Sequence, residues 1–166
     1  MTEQLDINVE TELSKLAEQL RDLVQTDPEP VMVGIHTGGA WLAERLHKLL
    51  DLKTELCTLN ISFYRDDFSR RGLHPHVGPS DISADIENRC IILVDDVLHT
   101  GRTVRAAMNE LFDYGRPAGI KLVALVDRGG RELPVAADYV GISMQDVSAD
   151  KQIKLLGPDP LRLEQQ

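Results

Sequence analysis

The stretch IILVDDVLHTGRTV, residues 91–104, runs from four branched apolar residues into two adjacent carboxylates and then into a turn that contains Thr100 and Gly101. A short, purely apolar run is typical of a strand that is buried on both faces of a parallel sheet. The pattern becomes helical after Gly101, which predicts a strand–turn–helix unit. Because open sheets of this kind bind ligands beyond the carboxyl ends of their strands, Asp95 and Asp96 lie where a ligand is expected.

The turn after the two acids has the residues of an anion cup. Free backbone amides at the start of the helix, together with the hydroxyls of Thr100 and Thr103, can bind a phosphate, and Gly101 lets the backbone approach it closely. Carboxylates repel a bare phosphate, so Asp95 and Asp96 are expected to accept hydrogen bonds from a ribose diol, with a magnesium ion sharing the site through water. The pattern predicts a ribose 5-phosphate. Acids that merely flank a helix capped by Thr100 would explain the pair alone, but not the whole arrangement.

The rest of the sequence predicts an α/β fold with a mostly parallel central sheet flanked by helices, because helical and strand patterns alternate. A glycine turn, HTGG (36–39), follows the first strand. Residues 66–83 carry Gly, Pro, Ser and scattered charge without periodicity, and a loop of this length is either a working lid or a disordered segment. Helices are expected at residues 11–25, around residues 42–50, and at residues 101–114. Strands are expected at residues 31–35, 55–64, 90–95, 120–126 and 138–143, with an edge strand at 151–156.

Length and composition set further limits. The 166 residues fit one compact domain, expected to span 1–166, and the formal charge of −9 disfavours broad nucleic-acid binding without excluding a local basic patch. The sequence has no apolar run long enough for a membrane span, and its acidic start lacks the zones of a signal peptide. Cys57 and Cys90 fall inside predicted strands, which favours unpaired thiols in a reducing cytosol. Neither of the two common nucleotide motifs, GxxxxGK[ST] and GxGxxG, occurs.

VDDVLHTGRT (94–103) resembles the phosphoribosyl-pyrophosphate (PRPP) signature of type I phosphoribosyltransferases. The resemblance to one branch, the PyrR family, extends from about residue 10 to residue 157 through GIHTGGAWLAERL (34–46), LNISFYRDD (59–67), GRP (115–117) and LVDRGGRELPVAADYVG (125–141). That family implies a type I fold with a flexible lid loop and a small hood. It also implies a cytoplasmic homodimer or homotetramer that converts uracil and PRPP, which binds together with magnesium, to UMP and pyrophosphate. The family further implies regulation of pyrimidine genes by binding of the pyr mRNA leader.

The resemblance also implies roles for individual residues. Many relatives carry Lys-Thr-Arg-Gly where this chain has HTGG, so a bidentate phosphate donor is missing; Arg65, which opens the lid segment, is expected to compensate. Tyr139 would stack on the base, and backbone groups of Val140 would recognise its edge. The implied catalytic residues are Asp95, Asp96, Arg65 and His99, and the implied PRPP-binding residues are Thr37, Gly38, Gly39, Asp95, Asp96, Val97, Leu98, His99, Thr100, Gly101, Arg102 and Thr103. No side chain is expected to bind the metal directly.

Two alternative functions stay open. A hypoxanthine-guanine phosphoribosyltransferase also has an aromatic-Val-Gly run, but purine enzymes typically carry Asp at the position of His99 and Lys at the position of Asp127. Both positions depart from the purine pattern, and RELP (131–134) favours the pyrimidine family. Whether His99 acts as an acid or a base is open.

The other alternative is an RNA-binding transcriptional attenuator with little catalysis. The resemblance implies RNA contacts from Lys15, Arg128 and Arg131. However, the first helix carries Lys15 and Arg21 among four acids, and Gly130 stands where RNA-binding relatives often have His. Each lost cation should lower RNA affinity. We therefore expect catalysis to be retained and RNA attenuation to be weak or lost.

Overall fold

The computed structural model describes residues 1–27, 29–61 and 79–166. These residues form a five-stranded parallel sheet in the order β3-β2-β4-β5-β6 and a three-stranded antiparallel sheet in the order β1-β8-β7, with helices covering the parallel sheet. The helices are α1 (Val9–Thr26), α2 (Gly38–Leu49) and α3 (Arg102–Tyr114). The strands are β1 (Glu3–Gln4), β2 (Val31–Ile35), β3 (Cys57–Leu59), β4 (Cys90–Leu98), β5 (Gly119–Asp127), β6 (Tyr139–Ser143), β7 (Ile153–Leu156) and β8 (Arg162–Gln165).

The apolar run at the start of β4 is buried on both faces of the sheet, as predicted. Successive side chains of a strand point to opposite faces. Ile92 and Val94 belong to the apolar cluster that contains the buried leucines of α1 and α2. Ile91 and Leu93 belong to a second cluster, which contains Leu111 of α3. Helices on both faces therefore explain why this strand has no polar side until it reaches Asp95.

The structure differs from the sequence prediction at several element ends. β4 does not stop at the acids but continues to Leu98, because β5 runs beside it and pairs Leu98 with Asp127. The described part of the predicted strand 55–64 is a strand only at Cys57–Leu59. The predicted edge strand at 151–156 pairs with β8 instead of the central sheet. β1 and β8 were not predicted.

The small antiparallel sheet corresponds to the predicted hood. Its apolar residues Leu155 and Leu163 are buried in the same cluster as the leucines of α2, so it packs on the helical layer beside the parallel sheet. Of the predicted lid loop, residues 66–78 lie outside the described residues. In the ranges that the structure describes, no helix has the length and hydropathy needed to cross a membrane. Both cysteines are free thiols, Cys57 buried and Cys90 half-buried.

Candidate functional site

Asp95 and Asp96 lie on opposite faces of β4 and differ in accessibility. Asp95 pairs with Ala124 of the α3-side cluster and exposes only 2% of its surface, whereas Asp96 is half-buried. Each carboxylate is oriented by the following backbone amide: Asp95 Oδ1 accepts from Asp96 N at 3.0 Å, and Asp96 Oδ1 accepts from Val97 N at 2.9 Å. Asp96 is therefore the more open of the two acids to a ligand.

The first residues of α2 are in close contact with Asp95 and Asp96. A Cβ atom added to Gly38 would lie 2.8 Å from Asp96 Cγ, and one added to Gly39 would lie 3.1 Å from Asp95 Cα and would also collide with the Val94 carbonyl. Glycine is needed at position 39 because the obstacle there is backbone. The peptide bond between His36 and Thr37 is cis, and the Thr37 side chain does not cap the helix.

The backbone amides at this helix start are available to a ligand. Among the described residues, no group accepts a hydrogen bond from the amides of Thr37, Gly38, Gly39 or Ala40. Unpaired amides at a helix N-terminus, with the positive end of the helix dipole, form an anion site. This first amide group, residues 37–40, lies directly against Asp95 and Asp96.

The loop at 98–102, here called the phosphate loop, contains three carbonyl groups that are hydrogen-bonded to another segment of the chain. They accept hydrogen bonds from the segment 127–135, here called the outer turn. The carbonyl of Leu98 accepts from Arg128 N at 3.1 Å, that of His99 from Arg131 Nη1 at 2.8 Å, and that of Thr100 from Glu132 N at 3.0 Å and Leu133 N at 3.2 Å. An ion pair between Arg102 Nε and Glu132 Oε2 at 2.6 Å also joins the phosphate loop to the outer turn.

Four backbone amides in and next to the phosphate loop have no hydrogen-bond partner among the described residues. Within the described ranges, the amides of His99, Thr100, Gly101 and Thr103 donate to no group, while Arg102 N donates to Thr100 Oγ1 at 3.2 Å. Gly101 has φ +92°, a conformation that side-chain-bearing residues rarely adopt. These four amides form a second amide group, at the turn where the sequence predicted an anion cup. Phosphate binding by this group stays a prediction.

His99, an implied catalytic residue, is held by protein groups at both ring nitrogens. Arg128 Nη1 lies 3.0 Å from His99 Nε2, and His99 Nδ1 lies 2.9 Å from the Gly129 carbonyl. An Arg N–H can only donate, so Nε2 accepts and Nδ1 carries the proton that is donated to Gly129. His99 is therefore a half-buried link between the phosphate loop and the outer turn.

The residues expected to bind RNA are engaged within the protein. Arg128 exposes 6% of its surface. Arg131 donates to the carbonyls of Val135 and His99 and forms an ion pair with Asp127 Oδ2 at 2.7 Å. Lys15 is largely exposed but is paired with a glutamate one turn away. Their role in RNA binding stays a prediction, and the structural role of both arginines was missed; the long separation between the contacting segments left no local signal for it.

Tyr139 and Val140, which are predicted to bind the base, are the first two residues of β6. Tyr139 pairs with Val123, in register with Val94, and packs on the cluster beneath α1; Val140 is level with Asp95, two strands away. A cavity of about 390 Å³ opens beyond the carboxyl end of β6, lined by residues 143–148, Lys151 and Gln165. The packing of Tyr139 does not favour stacking on a ligand. Its role in base binding stays a prediction.

Of the three other residues that the sequence comparison singled out, His36 and Asp127 can be placed. Arg65 lies outside the described residues. His36, at the position of the relatives' Lys, has its pKa lowered from the usual 6.5 by burial, so the imidazole is uncharged at neutral pH. Asp127 accepts from Gly129 N at 3.0 Å through Oδ1 and pairs with Arg131 through Oδ2. Both of its oxygens are therefore used within the outer turn.

A family model described as "Phosphoribosyl transferase domain" matches residues 1–160 of this chain. A "Bifunctional protein PyrR" of Nitrosococcus oceani is 56% identical over 150 residues, which cover 89% of this chain and 81% of the relative. A "Bifunctional protein PyrR" of Pseudomonas paraeruginosa is 56% identical over 135 residues, which cover 81% of this chain and 79% of the relative.

Solved structures of phosphoribosyltransferases share the fold. A hypoxanthine-guanine phosphoribosyltransferase of Bacillus anthracis has a TM-score of 0.69 at 20% sequence identity, with 89% of this chain and 85% of that chain covered. A hypoxanthine phosphoribosyl transferase of Trypanosoma cruzi has a TM-score of 0.63 at 24% identity, with 81% of this chain and 73% of that chain covered. At such identities the likeness concerns the fold and not the base that is used.

Proposed function

The chain belongs to the phosphoribosyl transferase domain family and, within it, to the PyrR proteins, and from this premise we propose that it converts uracil and PRPP to UMP and pyrophosphate. The observation that carries the proposal is two groups of amides that have no partner among the described residues. The amides of residues 37–40 lie beside Asp95 and Asp96, and the amides of His99, Thr100, Gly101 and Thr103 follow the two acids closely in the chain. PRPP has the matching order of groups: a 5′-phosphate, a ribose diol and a pyrophosphate.

The roles of the site residues follow from this match. The phosphate loop holds the 5′-phosphate through its amides and the hydroxyls of Thr100 and Thr103. Asp95 and Asp96 accept hydrogen bonds from the ribose hydroxyls, and such charge-assisted bonds are the stronger kind. Residues Thr37 to Gly39 hold the pyrophosphate. Its departure leaves a cation-like sugar at the anomeric carbon, and the two carboxylates stabilise this positive charge electrostatically.

Magnesium fits this site as an ion that arrives with PRPP. In the part of the chain that the structure describes, no group of three or more His, Cys, Asp or Glu side chains could hold a metal ion. Magnesium usually keeps several waters and binds substrate phosphates, and the half-buried carboxylate of Asp96 would contact the ion through such a water. When bound, the ion neutralises charge on the leaving pyrophosphate.

Uracil is the proposed base because the relatives above 50% identity are PyrR proteins and because His99 and Asp127 depart from the purine pattern. Purine activity is the less favoured alternative. The cavity beyond β6 is large enough for a pyrimidine and offers the polar groups of Ser143 and Gln145. Tyr139 and Val140 remain the alternative base residues.

RNA-dependent regulation is the second proposed function, supported by the word "bifunctional" in the names of the relatives. The internal contacts of Arg128 and Arg131 argue for weak RNA binding by this face. A filter-binding titration with pyr leader RNA at two salt concentrations tests this. Tight binding that UMP enhances and salt weakens steeply would overturn the expectation.

Location in the cytoplasm, a single domain and assembly as a homodimer or homotetramer are further proposals from the family. Light scattering after size exclusion tests the assembly. The function itself is tested by offering uracil, hypoxanthine, guanine and orotate separately with PRPP and magnesium. We expect UMP and pyrophosphate from uracil alone. Turnover of hypoxanthine or guanine in preference to uracil would reverse the choice of base, and no turnover with any base would reject the proposal.

A further inference from the structure

Arg128 connects three parts of the site. Its backbone amide donates to the Leu98 carbonyl at 3.1 Å, its Nη1 donates to His99 Nε2 at 3.0 Å, and its Nη2 donates to the Ser148 carbonyl at 3.1 Å. Leu98 and His99 belong to the phosphate loop. Ser148 belongs to the segment 143–148, which lines the cavity beyond β6. One side chain therefore spans the distance between the phosphate cup and the cavity.

This position of Arg128 is costly for the fold. Arg128 exposes 6% of its surface, and its buried Nε atom has no hydrogen-bond partner within the described part of the chain. Across the described residues no carboxylate forms an ion pair with it. Burial of a cation among neutral acceptors opposes folding. A contact that opposes folding and joins two ligand-binding segments indicates a functional requirement for their spacing.

His99 completes the connection. Its ring is fixed by Arg128 at Nε2 and by the Gly129 carbonyl at Nδ1, and a Cβ atom added to Gly130 would lie 2.7 Å from its Cε1 atom. The ring is therefore enclosed by the outer turn, and neither nitrogen is available to a ligand without loss of one of these bonds. This arrangement suits a spacer better than an acid or base.

We propose that His99 and Arg128 are positioning residues that fix the phosphate loop relative to the segment 143–148, and so set the distance between the sugar and the base. The proposal rests on the phosphoribosyl transfer proposed above. Displacement at the anomeric carbon needs the base nitrogen at a short, aligned distance, and a misplacement of about 1 Å can lower the rate about 100-fold. The amide groups and the acids bind PRPP without this link, so its loss should lower kcat more than it raises KM.

The test compares three variants of His99. His99→Gln places an acceptor near the position of Nε2 and keeps the bond to Arg128; His99→Asn keeps only a donor near Nδ1; His99→Leu keeps neither. We expect His99→Gln to retain kcat within about 3-fold, and the other two to lose about 10- to 100-fold in kcat with KM values for PRPP and uracil changed by less than about 3-fold.

Arg128→Met should resemble His99→Asn, and the double variant should be no worse than either single one, because both changes break the same contact. Arg89→Met is the matched control: Arg89 also donates to a backbone carbonyl, that of Glu29, but at the amino end of the sheet. It should keep wild-type kcat. Melting temperatures of all variants are measured in parallel.

Several results would overturn the proposal. Equal loss of kcat in all three His99 variants, with loss of one limb of the pH profile, would indicate proton transfer by His99. Wild-type kcat in His99→Asn and Arg128→Met, with lowered melting temperatures only, would indicate a purely structural contact. Additive losses in the double variant would indicate two separate roles. A wild-type chain that transfers no base would overturn the proposed function together with this one, whereas an active wild type restricts the failure to the link.

Discussion

Replacement of Asp96 by Asn separates the charge of this side chain from its structural contact. Asp96 Oδ1 accepts a hydrogen bond from Val97 N, and an amide oxygen in the same place can do so as well, so the strand end should keep its shape. The half-exposed part of the side chain should lose its charge-assisted bond to a ribose hydroxyl. A hydrogen bond to a charged group contributes about 1.5–3 kcal/mol. We therefore expect the dissociation constant for magnesium-PRPP to rise about 10- to 100-fold.

Isothermal titration calorimetry with magnesium-PRPP measures this change directly, and a urea denaturation curve reports on the fold. Asp85→Asn is the matched control, since Asp85 Oδ1 also accepts from a nearby backbone amide, that of Glu87, on an exposed loop. Its PRPP affinity should equal that of the wild type. An Asp96→Asn variant that binds PRPP within about 2-fold of the control would refute the ribose assignment. A lowered denaturation midpoint with unchanged affinity would show that the carboxylate serves the fold instead.

Three further changes test other parts of the site. Gly39→Ala should lower the free energy of unfolding by about 1–3 kcal/mol, because the new Cβ meets the Val94 carbonyl; a urea midpoint equal to that of the wild type would contradict this. Thr100→Val removes a hydroxyl from the cup and an acceptor of Arg102 N, so PRPP should bind about 2- to 10-fold more weakly, and unchanged calorimetric affinity would argue against the cup. Burial lowers the pKa of His36, so its contribution to stability is complete above pH 6.5 and is lost as the pH falls through the lower folded-state value. The difference in unfolding free energy between neutral and acidic buffer should therefore be smaller in His36→Gln than in the wild type. An equal difference in the two proteins would show that His36 does not cause the pH dependence.

The parts of the site that the sequence predicted are those encoded by adjacent residues. The apolar run 91–94, the acids after it and the turn with Gly101 are contiguous, and their local geometry follows from backbone alternation, from the conformational freedom of glycine and from the free amides of a helix start. The sequence predicted HTGG only as a glycine turn, and the structure adds the reason for glycine at position 39, where the Val94 carbonyl leaves no room for a side chain.

Predictions were weaker where a residue's surroundings come from a distant part of the chain. Arg128 and Arg131 resemble surface cations in sequence, but the phosphate loop that they contact lies far earlier in the chain, with His99 29 residues before Arg128. The two-residue strand β1 pairs with β8 near the other end of the chain, and a strand so short has no periodicity of its own. The extension of β4 to Leu98 depends on its neighbour β5.

By itself, the sequence determined the α/β class and the strand–turn–helix unit, and it predicted which groups face a ligand, since each of these depends on short-range sterics and hydrogen-bonding capacity. Only the tertiary structure decided the direction in which those groups point. The outer turn donates hydrogen bonds to three carbonyls of the phosphate loop, and it buries Arg128 against His99. Such pairings arise from packing between segments that the chain brings together only when it folds.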